Sequence, residues 1–158
     1  SQIELRIFAH FTKDPKLCTA LNNNEDIFCS IAAEWKCKSI QHVTEEERQA
    51  IKQLCYALLY GMGPSKLAAD LNCSVVEADA MIQRFLKYYS GVQVFIEDVK
   101  KKCYHHGYVE TLLGRKRYLP NIYHPNLKER SQAERQAVNT VCQGSAADLI
   151  KVSLFSCH

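Results

Sequence analysis

Apolar residues recur at helical spacing in the middle of the chain. They occupy positions i, i+3, i+4, i+7 and i+8 of one stretch, namely Ile51, Leu54, Cys55, Leu58 and Leu59. This period places them on one face of an amphipathic helix. Thr44 and Glu47 have the spacing of a capping box, which predicts where the helix begins. Gly61, with Pro64 shortly after it, predicts where the helix ends.

Similar signals predict a fold that is mainly α-helical. Further helices are expected over residues 27–35, 64–71, 74–89, 92–106 and 127–142. Asp26, Pro64 and Ser74 are the start signals of the first three. Gly144 is expected to break the last helix, and Ser145 is expected to restart it with Asp148 as a cap in its first turn.

The beginning of the chain allows two structures. Ser1 and Glu4 can cap a short helix over residues 1–11. A strand is equally allowed by the alternation of apolar side chains at Ile3, Leu5 and Ile7. A second short helix is expected between the breaks at Asp14-Pro15 and at residues 22–24.

One small β-hairpin is expected between the later helices. Residues 108–113 are β-prone, Gly114 begins a turn, and residues 118–120 return as the second strand. Three adjacent cations, Arg115, Lys116 and Arg117, are placed at that turn. Such a cluster suits phosphate contact, which positions DNA without reading its sequence. The alternative is a basic turn that is only solvated.

A polar stripe runs beside the apolar face of the central helix. Its members follow one another at intervals of four residues, at Arg48, Lys52, Tyr56 and Tyr60. The stripe spans roughly 18 Å at the standard helical rise. Two cations near a helix N-terminus suit a polyanion, and two aromatic rings suit a sugar or a base. The pattern matches a nucleoside triphosphate, although an exposed helix face with solvated cations and tyrosines at the rim of the core gives the same pattern.

A second polar stripe occurs near the end of the chain. Arg135, Asn139 and Gln143 lie at i, i+4 and i+8 of the predicted helix. Their amides and guanidinium can bond minor-groove acceptors, which are nearly the same for every base pair. This favours a protein that accepts DNA of any sequence.

Composition and charge narrow the class of protein. The chain has 158 residues, enough for one domain with a sizeable core, and a net charge of only +3, so a nucleic-acid surface must be a local patch. It contains neither an apolar run of membrane-spanning length nor a signal-peptide pattern. The eight cysteines show no C-x-x-C pair and are interpreted as reduced thiols of an intracellular protein, with a zinc site or disulfide as the alternative.

The order of these motifs resembles the family A DNA polymerases. Residues 48–61 resemble motif B on the fingers helix, and residues 1–6 resemble the end of motif A. Residues 114–120, 133–139 and 143–149 follow in the family's order, so the resemblance covers nearly the whole chain. Residues 26–28 and 32–36 are most similar to the eukaryotic theta branch.

The resemblance implies roles for the residues of the stripes. Lys52 and Arg48 would be the catalytic cations that hold the triphosphate, with Lys52 also a candidate proton donor to pyrophosphate. Tyr56 would stack on the nucleotide, and a tyrosine there, rather than phenylalanine, goes with acceptance of dideoxynucleotides in the family. Tyr60 would guard the template position. Glu4, for which a capping role is the alternative, would be the steric gate against a ribose 2′-hydroxyl.

The remaining implied contacts involve the nucleotide pocket and DNA. Phe28 would pack near the nucleotide, with a plain core position as the alternative. Contacts to primer–template DNA are implied for Arg115, Lys116, Arg117, Arg135, Asn139 and Gln143.

The resemblance also implies an architecture and a cofactor. The chain is expected to be a single fragment of a right-hand polymerase: residues 1–25 at the palm edge, 26–125 as fingers, and 126–158 returning to the palm. Two Mg²⁺ ions would serve the reaction, but their aspartates are expected outside these residues, so the fragment alone is expected to be inactive. Its partners would be deoxynucleoside triphosphates, primer–template DNA and the remainder of the polymerase. A nuclear protein of DNA repair is implied by the theta branch.

A different class of function competes with this interpretation. The two helices from Ser65 to Phe85, joined by a short turn, also fit a helix-turn-helix module that binds DNA without catalysis. That interpretation leaves the stripe from Arg48 to Tyr60 unexplained.

Overall fold

The fold was analysed in a computed structural model that describes residues 2–22 and 26–156. It is mostly helical with one antiparallel two-stranded hairpin, as predicted. The helices are α1 (Gln2–Thr12), α2 (Pro15–Asn22), α3 (Ile27–Lys36), α4 (Glu45–Leu59), α5 (Pro64–Leu71), α6 (Val75–Tyr88), α7 (Ser90–His106), α8 (Leu127–Asn139) and α9 (Ser145–Ser156). The strands are β1 (Tyr108–Glu110) and β2 (Lys116–Tyr118), and short 3-10 helices cover Ile40–His42 and Pro120–Tyr123.

Local signals correctly predict most helix starts. The capping box before α4 is present, because the Thr44 backbone N–H donates to Glu47 Oε2 at 2.9 Å and the Glu47 N–H donates to Thr44 Oγ1 at 3.3 Å. Asp26 accepts from two backbone N–H groups at the start of α3, and Ser74 forms a full capping box with Glu77 at the start of α6. The chain's first segment is helical as well, which excludes the strand alternative there; Ser1 lies outside the described residues.

The chain packs as two compact units. Unit 1 holds described residues 2–11, 59–61 and 94–156, and unit 2 holds residues 12–22, 26–58 and 62–93. The core of unit 2 contains fully buried side chains from several helices, among them Leu17, Ile31, Leu54, Leu67, Phe85 and Tyr89. The apolar face predicted for α4 is buried there, since Ile51 and Cys55 are also at most 2% exposed.

Unit 1 has its own apolar core. Phe8 meets the ring of Phe95 edge-on at 5.8 Å, and Phe11 stacks on the same ring at 5.7 Å. Ile122 and Ala137 are fully buried, as α8 packs against the 3-10 helix Pro120–Tyr123. This core supports the hairpin and α8, which carry the predicted DNA-binding residues.

The strands of the hairpin have different bounds from those predicted. Tyr108 pairs with Tyr118 and Glu110 with Lys116, so the second strand begins at Lys116 rather than at Tyr118. The turn lies between, where Gly114 has φ +78°, its N–H donates to Thr111 O, and the Thr111 N–H donates to Arg115 O. The prediction that Arg115, Lys116 and Arg117 share the turn is therefore wrong: the last two lie within β2.

The predicted break at Gly144 is also absent. Thr140–Gly144 forms a π-helical turn that continues α8 directly into α9, with helical backbone angles at Asn139, Thr140 and Ser145. Gly144 is part of this turn and does not end a helix. A π turn is uncommon and occurs frequently at functional sites.

Candidate functional site

The cations of α4 lie on an accessible face of unit 2. Arg48 donates from Nη2 to Asp26 Oδ2 at 2.9 Å and from Nη1 to Glu45 Oε1 at 3.1 Å. Burial would raise the pKa of Asp26, but hydrogen bonds from Arg48 and Cys29, together with the positive charge of Arg48, outweigh that effect, so the pKa is lowered. Both carboxylates are partly exposed, at 39% and 66%. Exposed ion pairs of this kind contribute little and exchange readily for another anion.

Lys52 lies one turn after Arg48 on the same helix. It is partly exposed, and within the described part of the chain it has no hydrogen bond or ion pair. A flexible ammonium group with three donors and no protein partner is suited to bind a phosphate. The two cations therefore provide one engaged and one available positive charge on successive turns.

Aromatic rings adjoin these cations. The ring of Phe28, on α3, lies 6.1 Å from the ring of Tyr56 on α4 in a tilted arrangement, and the Arg48 guanidinium lies 5.9 Å from the Phe28 ring. Phe28 is 6% exposed, whereas Tyr56 is only half-buried. The buried ring thus supports a tyrosine that keeps part of its surface accessible. The structure brings together Phe28, Arg48, Lys52 and Tyr56 in one unit.

Unit 1 contains a second pair of predicted residues. Tyr60 lies just past the end of α4, and its hydroxyl donates to Glu4 Oε2 on α1 at 2.9 Å. Gly61 follows with φ +63°, and a Cβ built on it would lie 3.0–3.1 Å from Cα and Cβ of Arg135 on α8. The backbone conformation and the close approach of Arg135 therefore both disfavour a side chain at Gly61. The sequence predicted a role for each of these residues but not their contacts.

The cations of the hairpin each have a different protein partner. Arg115 Nε donates to Asp148 Oδ1 at 2.9 Å, and Arg117 Nη1 donates to Thr140 Oγ1 at 2.8 Å. Lys116 lies 3.7 Å from a Glu110 oxygen and 4.5 Å from the centre of the Tyr108 ring. The three cations do not form one cluster at a hairpin tip.

The polar residues of the second stripe lie on α8 and the π turn. Arg135 is exposed, and its only side-chain hydrogen bond to another described residue is a long 3.4 Å contact from Nη1 to Ser131 Oγ. Asn139 and Gln143 are half-buried, and Asn139 Oδ1 is a buried oxygen without a hydrogen-bond donor among the described residues. Because Asn139 ends α8 and Gln143 lies within the π turn, the two residues do not follow the regular α-helical stripe that the sequence predicted.

The observed role of Asp148 differs from the role predicted from the sequence. Asp148 was expected to act as a cap in the first turn of its helix; it lies in the first turn of α9, but its side chain is bonded to the hairpin instead. Its carboxylate accepts from Thr111 Oγ1 at 2.6 Å as well as from Arg115, and it is only 7% exposed. The Thr111 hydroxyl lowers the pKa of Asp148, burial opposes that shift, and Arg115 adds to it. The partners lie more than 30 residues away in the chain, so no local pattern indicated the contact.

The described residues contain neither a cluster of metal ligands nor a membrane-spanning helix. They include no group of three His, Cys, Asp or Glu side chains that could hold a metal ion. No described helix combines the length and the apolar character needed to cross a membrane. The seven cysteines in the described ranges are free thiols.

Comparison with known proteins gives consistent results. DNA polymerase theta of Mus musculus is 45% identical over 97% of this chain, and that of Drosophila melanogaster is 42% identical over 95%. DNA polymerase I of Bacillus caldotenax is 40% identical over 98%. The higher identity to the two theta proteins confirms the predicted resemblance to that branch. The chain spans 6%, 7% and 18%, respectively, of the length of these relatives.

A solved structure has the same fold. The POL domain of Pol1 from M. smegmatis, in complex with DNA primer-template and dNTP, superposes with a TM-score of 0.89 at 40% identity. The match covers 96% of this chain and 27% of that one. The family model for DNA polymerase family A matches residues 1–158. The chain belongs to family A of the DNA polymerases.

Proposed function

We propose that the chain supplies the nucleotide-selecting part of a template-directed DNA polymerase. The reaction is transfer of a deoxynucleotide from its triphosphate to a primer 3′-hydroxyl. Family membership supports this proposal, as does the similarity to a polymerase domain that was solved with primer-template and dNTP. The observation that carries it is Lys52, an available ammonium on α4, next to the accessible ring of Tyr56.

For unit 2 we propose contacts to the incoming nucleotide. Lys52 binds the triphosphate, and Arg48 joins it by exchanging its exposed partners, Asp26 and Glu45, for phosphate oxygens. Lys52 is also placed to return a proton to the leaving pyrophosphate. Tyr56 stacks on the sugar and base, supported from behind by Phe28.

For unit 1 we propose contacts to the sugar and to DNA. Glu4 is the steric gate, and its hydrogen bond with Tyr60 holds the carboxylate in place. Tyr60 guards the template position by the same contact. Arg135, Asn139 and Gln143 contact the minor groove, and Lys116 provides a phosphate contact from β2. Arg115 and Arg117 are proposed as weaker phosphate contacts, because each already has a protein partner.

Family A polymerases generally use Mg²⁺. The residues described here do not fit such a site, since they form no cluster of metal ligands and the two best-placed acids are engaged: Glu4 with Tyr60, and Asp148 with Thr111 and Arg115. No step assigned to these residues passes through the metal. Their contribution is to bind and orient the nucleotide and the DNA.

We further propose that these residues act within a longer polymerase chain, with residues 26–125 as fingers and the flanking segments belonging to the palm. Similarity to the two theta proteins supports a role in DNA repair, in the nucleus. The helix-turn-helix alternative is not favoured by α5 and α6. The first turn of α6 presents exposed Val75 and Val76 with Glu77, and these side chains do not suit the start of a DNA-recognition helix.

The proposal is tested by replacing Lys52. In the full polymerase chain, Lys52→Ala should lower kcat/KM for nucleotide about ten- to a hundredfold, because a charge-assisted phosphate contact contributes about 1.5–3 kcal/mol. The dissociation constant for primer–template DNA should change little. Lys87→Ala removes an exposed lysine of the same unit and serves as the control. Equal kinetics for the two variants would contradict the proposed role.

A further inference from the structure

We propose that Asp148 is a positioning residue: with Thr111 and Arg115 it fixes the π-helical turn Thr140–Gly144, and so holds Asn139 and Gln143 for minor-groove contact. Asp148 acts through these residues and does not itself meet the substrate. The inference rests on the proposed function, because it assigns a support to the DNA-contacting stripe. All of the residues involved belong to unit 1.

The first step is the anchoring of Asp148. Its Oδ2 accepts from the Thr111 hydroxyl at 2.6 Å and its Oδ1 from Arg115 Nε at 2.9 Å. Thr111 is 5% exposed and Asp148 7%. A second bond joins the two donors, because the Arg115 backbone N–H donates to Thr111 Oγ1 at 3.1 Å. The turn of the hairpin is thereby fixed to the first turns of α9.

The second step links the hairpin to both ends of the π turn. Arg115 Nη2 donates to the carbonyl oxygen of Gly144 at 3.3 Å, and Arg117 Nη1 donates to Thr140 Oγ1 at 2.8 Å. The Leu112 backbone N–H donates to Ser145 Oγ at 2.8 Å, directly after the turn. Two arginines that were predicted at a phosphate-binding tip are thus oriented toward the π turn.

Close packing at Gly144 shows how tightly the two segments fit. A Cβ built on Gly144 would lie 2.7 Å from Thr111 Cγ2 and 3.2 Å from Arg115 Nη2. Real Cβ atoms do not approach a buried carbon so closely, so the hairpin occupies the space of a side chain at this position. The absence of a side chain at Gly144 is what permits the hairpin to reach the backbone of the π turn.

The π turn sets the relative direction of the two amides. In a regular α-helix, residues four apart lie on one face, but a π turn contains an extra residue and rotates whatever follows it. Asn139 precedes the turn and Gln143 lies within it. Their directions therefore depend on the turn.

The test uses DNA that lacks a minor-groove acceptor. Primer–templates with 3-deazaguanine beside the primer end lack the purine N3 acceptor, and the parent polymerase should extend them about three- to tenfold less efficiently than normal DNA. In Asp148→Asn and Thr111→Val, extension of normal DNA should fall, and the ratio between normal and 3-deaza DNA should approach one. The half-saturating nucleotide concentration should stay unchanged. Thr111→Ser retains the hydroxyl and should restore the parent ratio.

The outcomes separate this inference from the proposed function. A purely structural role would lower Tm but leave the ratio at the parent value, and that result would overturn the inference. A parent enzyme indifferent to 3-deaza DNA would overturn it as well, while the Lys52 kinetics would still stand. If Asp148→Asn does not fold, the inference is tested by comparing the ratio between normal and 3-deaza DNA in Thr111→Val and Thr111→Ser. Failure of the proposed function is recognised separately, by equal kinetics of Lys52→Ala and Lys87→Ala.

Discussion

Arg48 on α4 and Arg115 of the hairpin differ in the burial of the carboxylates that they bond. Arg48 is bonded to Asp26 and Glu45, whose side chains are 39% and 66% exposed, and Lys52 has no partner in the described ranges. Arg115 is bonded to Asp148, whose side chain is only 8% exposed. An exposed carboxylate loses little when its cation leaves, whereas a buried one is left uncompensated. The burial of the partner, rather than the cation itself, indicates whether an arginine is available to a ligand.

Replacing one arginine in each region should give the largest difference in stability between the two regions. Arg115→Met should lower the free energy of unfolding by about 1–3 kcal/mol, less than the full cost of a buried charge because half of the Arg115 side chain is exposed. Arg48→Met should cost much less, because both of its carboxylate partners are exposed. Thermal or denaturant unfolding of the two variants measures the difference. Equal losses would show that partner burial does not separate the regions.

Tyr56→Phe tests whether α4 binds the nucleotide. If α4 binds the nucleotide as its resemblance implies, loss of the hydroxyl should raise discrimination against dideoxynucleotides about three- to tenfold, the contribution of one hydrogen bond. Normal incorporation should be nearly unchanged, since the ring and its contact with Phe28 remain. Chain termination on a primed template, with both nucleotides in competition, gives the ratio. An unchanged ratio would remove Tyr56 from the nucleotide site.

The smallest effect is expected at the start of α4. Hydrogen bonds from Lys38, from the Thr44 backbone and from Lys36 lower the pKa of Glu47 to about 2. A lowered carboxyl pKa stabilises the folded state above the ordinary pKa near 4.5, and this contribution is lost as pH falls through 2.

Glu47→Gln should therefore have a slightly lower Tm than the parent at pH 7, and the difference should disappear toward pH 2. Unfolding scans over this range, with Asp79→Asn at an exposed carboxylate as a control, measure it. A difference that persists at pH 2 would exclude the charge of Glu47 as its cause.

Sequence patterns predicted the features that depend on neighbouring residues. The capping boxes at Thr44 and Ser74 and the apolar face of α4 are local, and the structure confirms them. The bounds of the hairpin strands and the π turn were missed. The π turn is held by contacts with the hairpin, a segment far away in the chain. Thr111 and Asp148 are 37 residues apart, and their hydrogen bond has no signature in either local sequence.

We infer that α4 binds the nucleotide, while the Arg115–Asp148 pair supports the contact with DNA. Single-turnover extension by Lys52→Ala and Arg115→Lys, with nucleotide and DNA affinities measured on the same preparations, tests it directly. Arg115→Lys keeps the charge but loses the paired donors to Asp148 and Gly144. We expect Lys52→Ala to raise the half-saturating nucleotide concentration about ten- to a hundredfold with little change in DNA affinity, and Arg115→Lys to weaken DNA binding with nucleotide affinity unchanged. The reverse pattern, or the same pattern in both variants, would contradict the account.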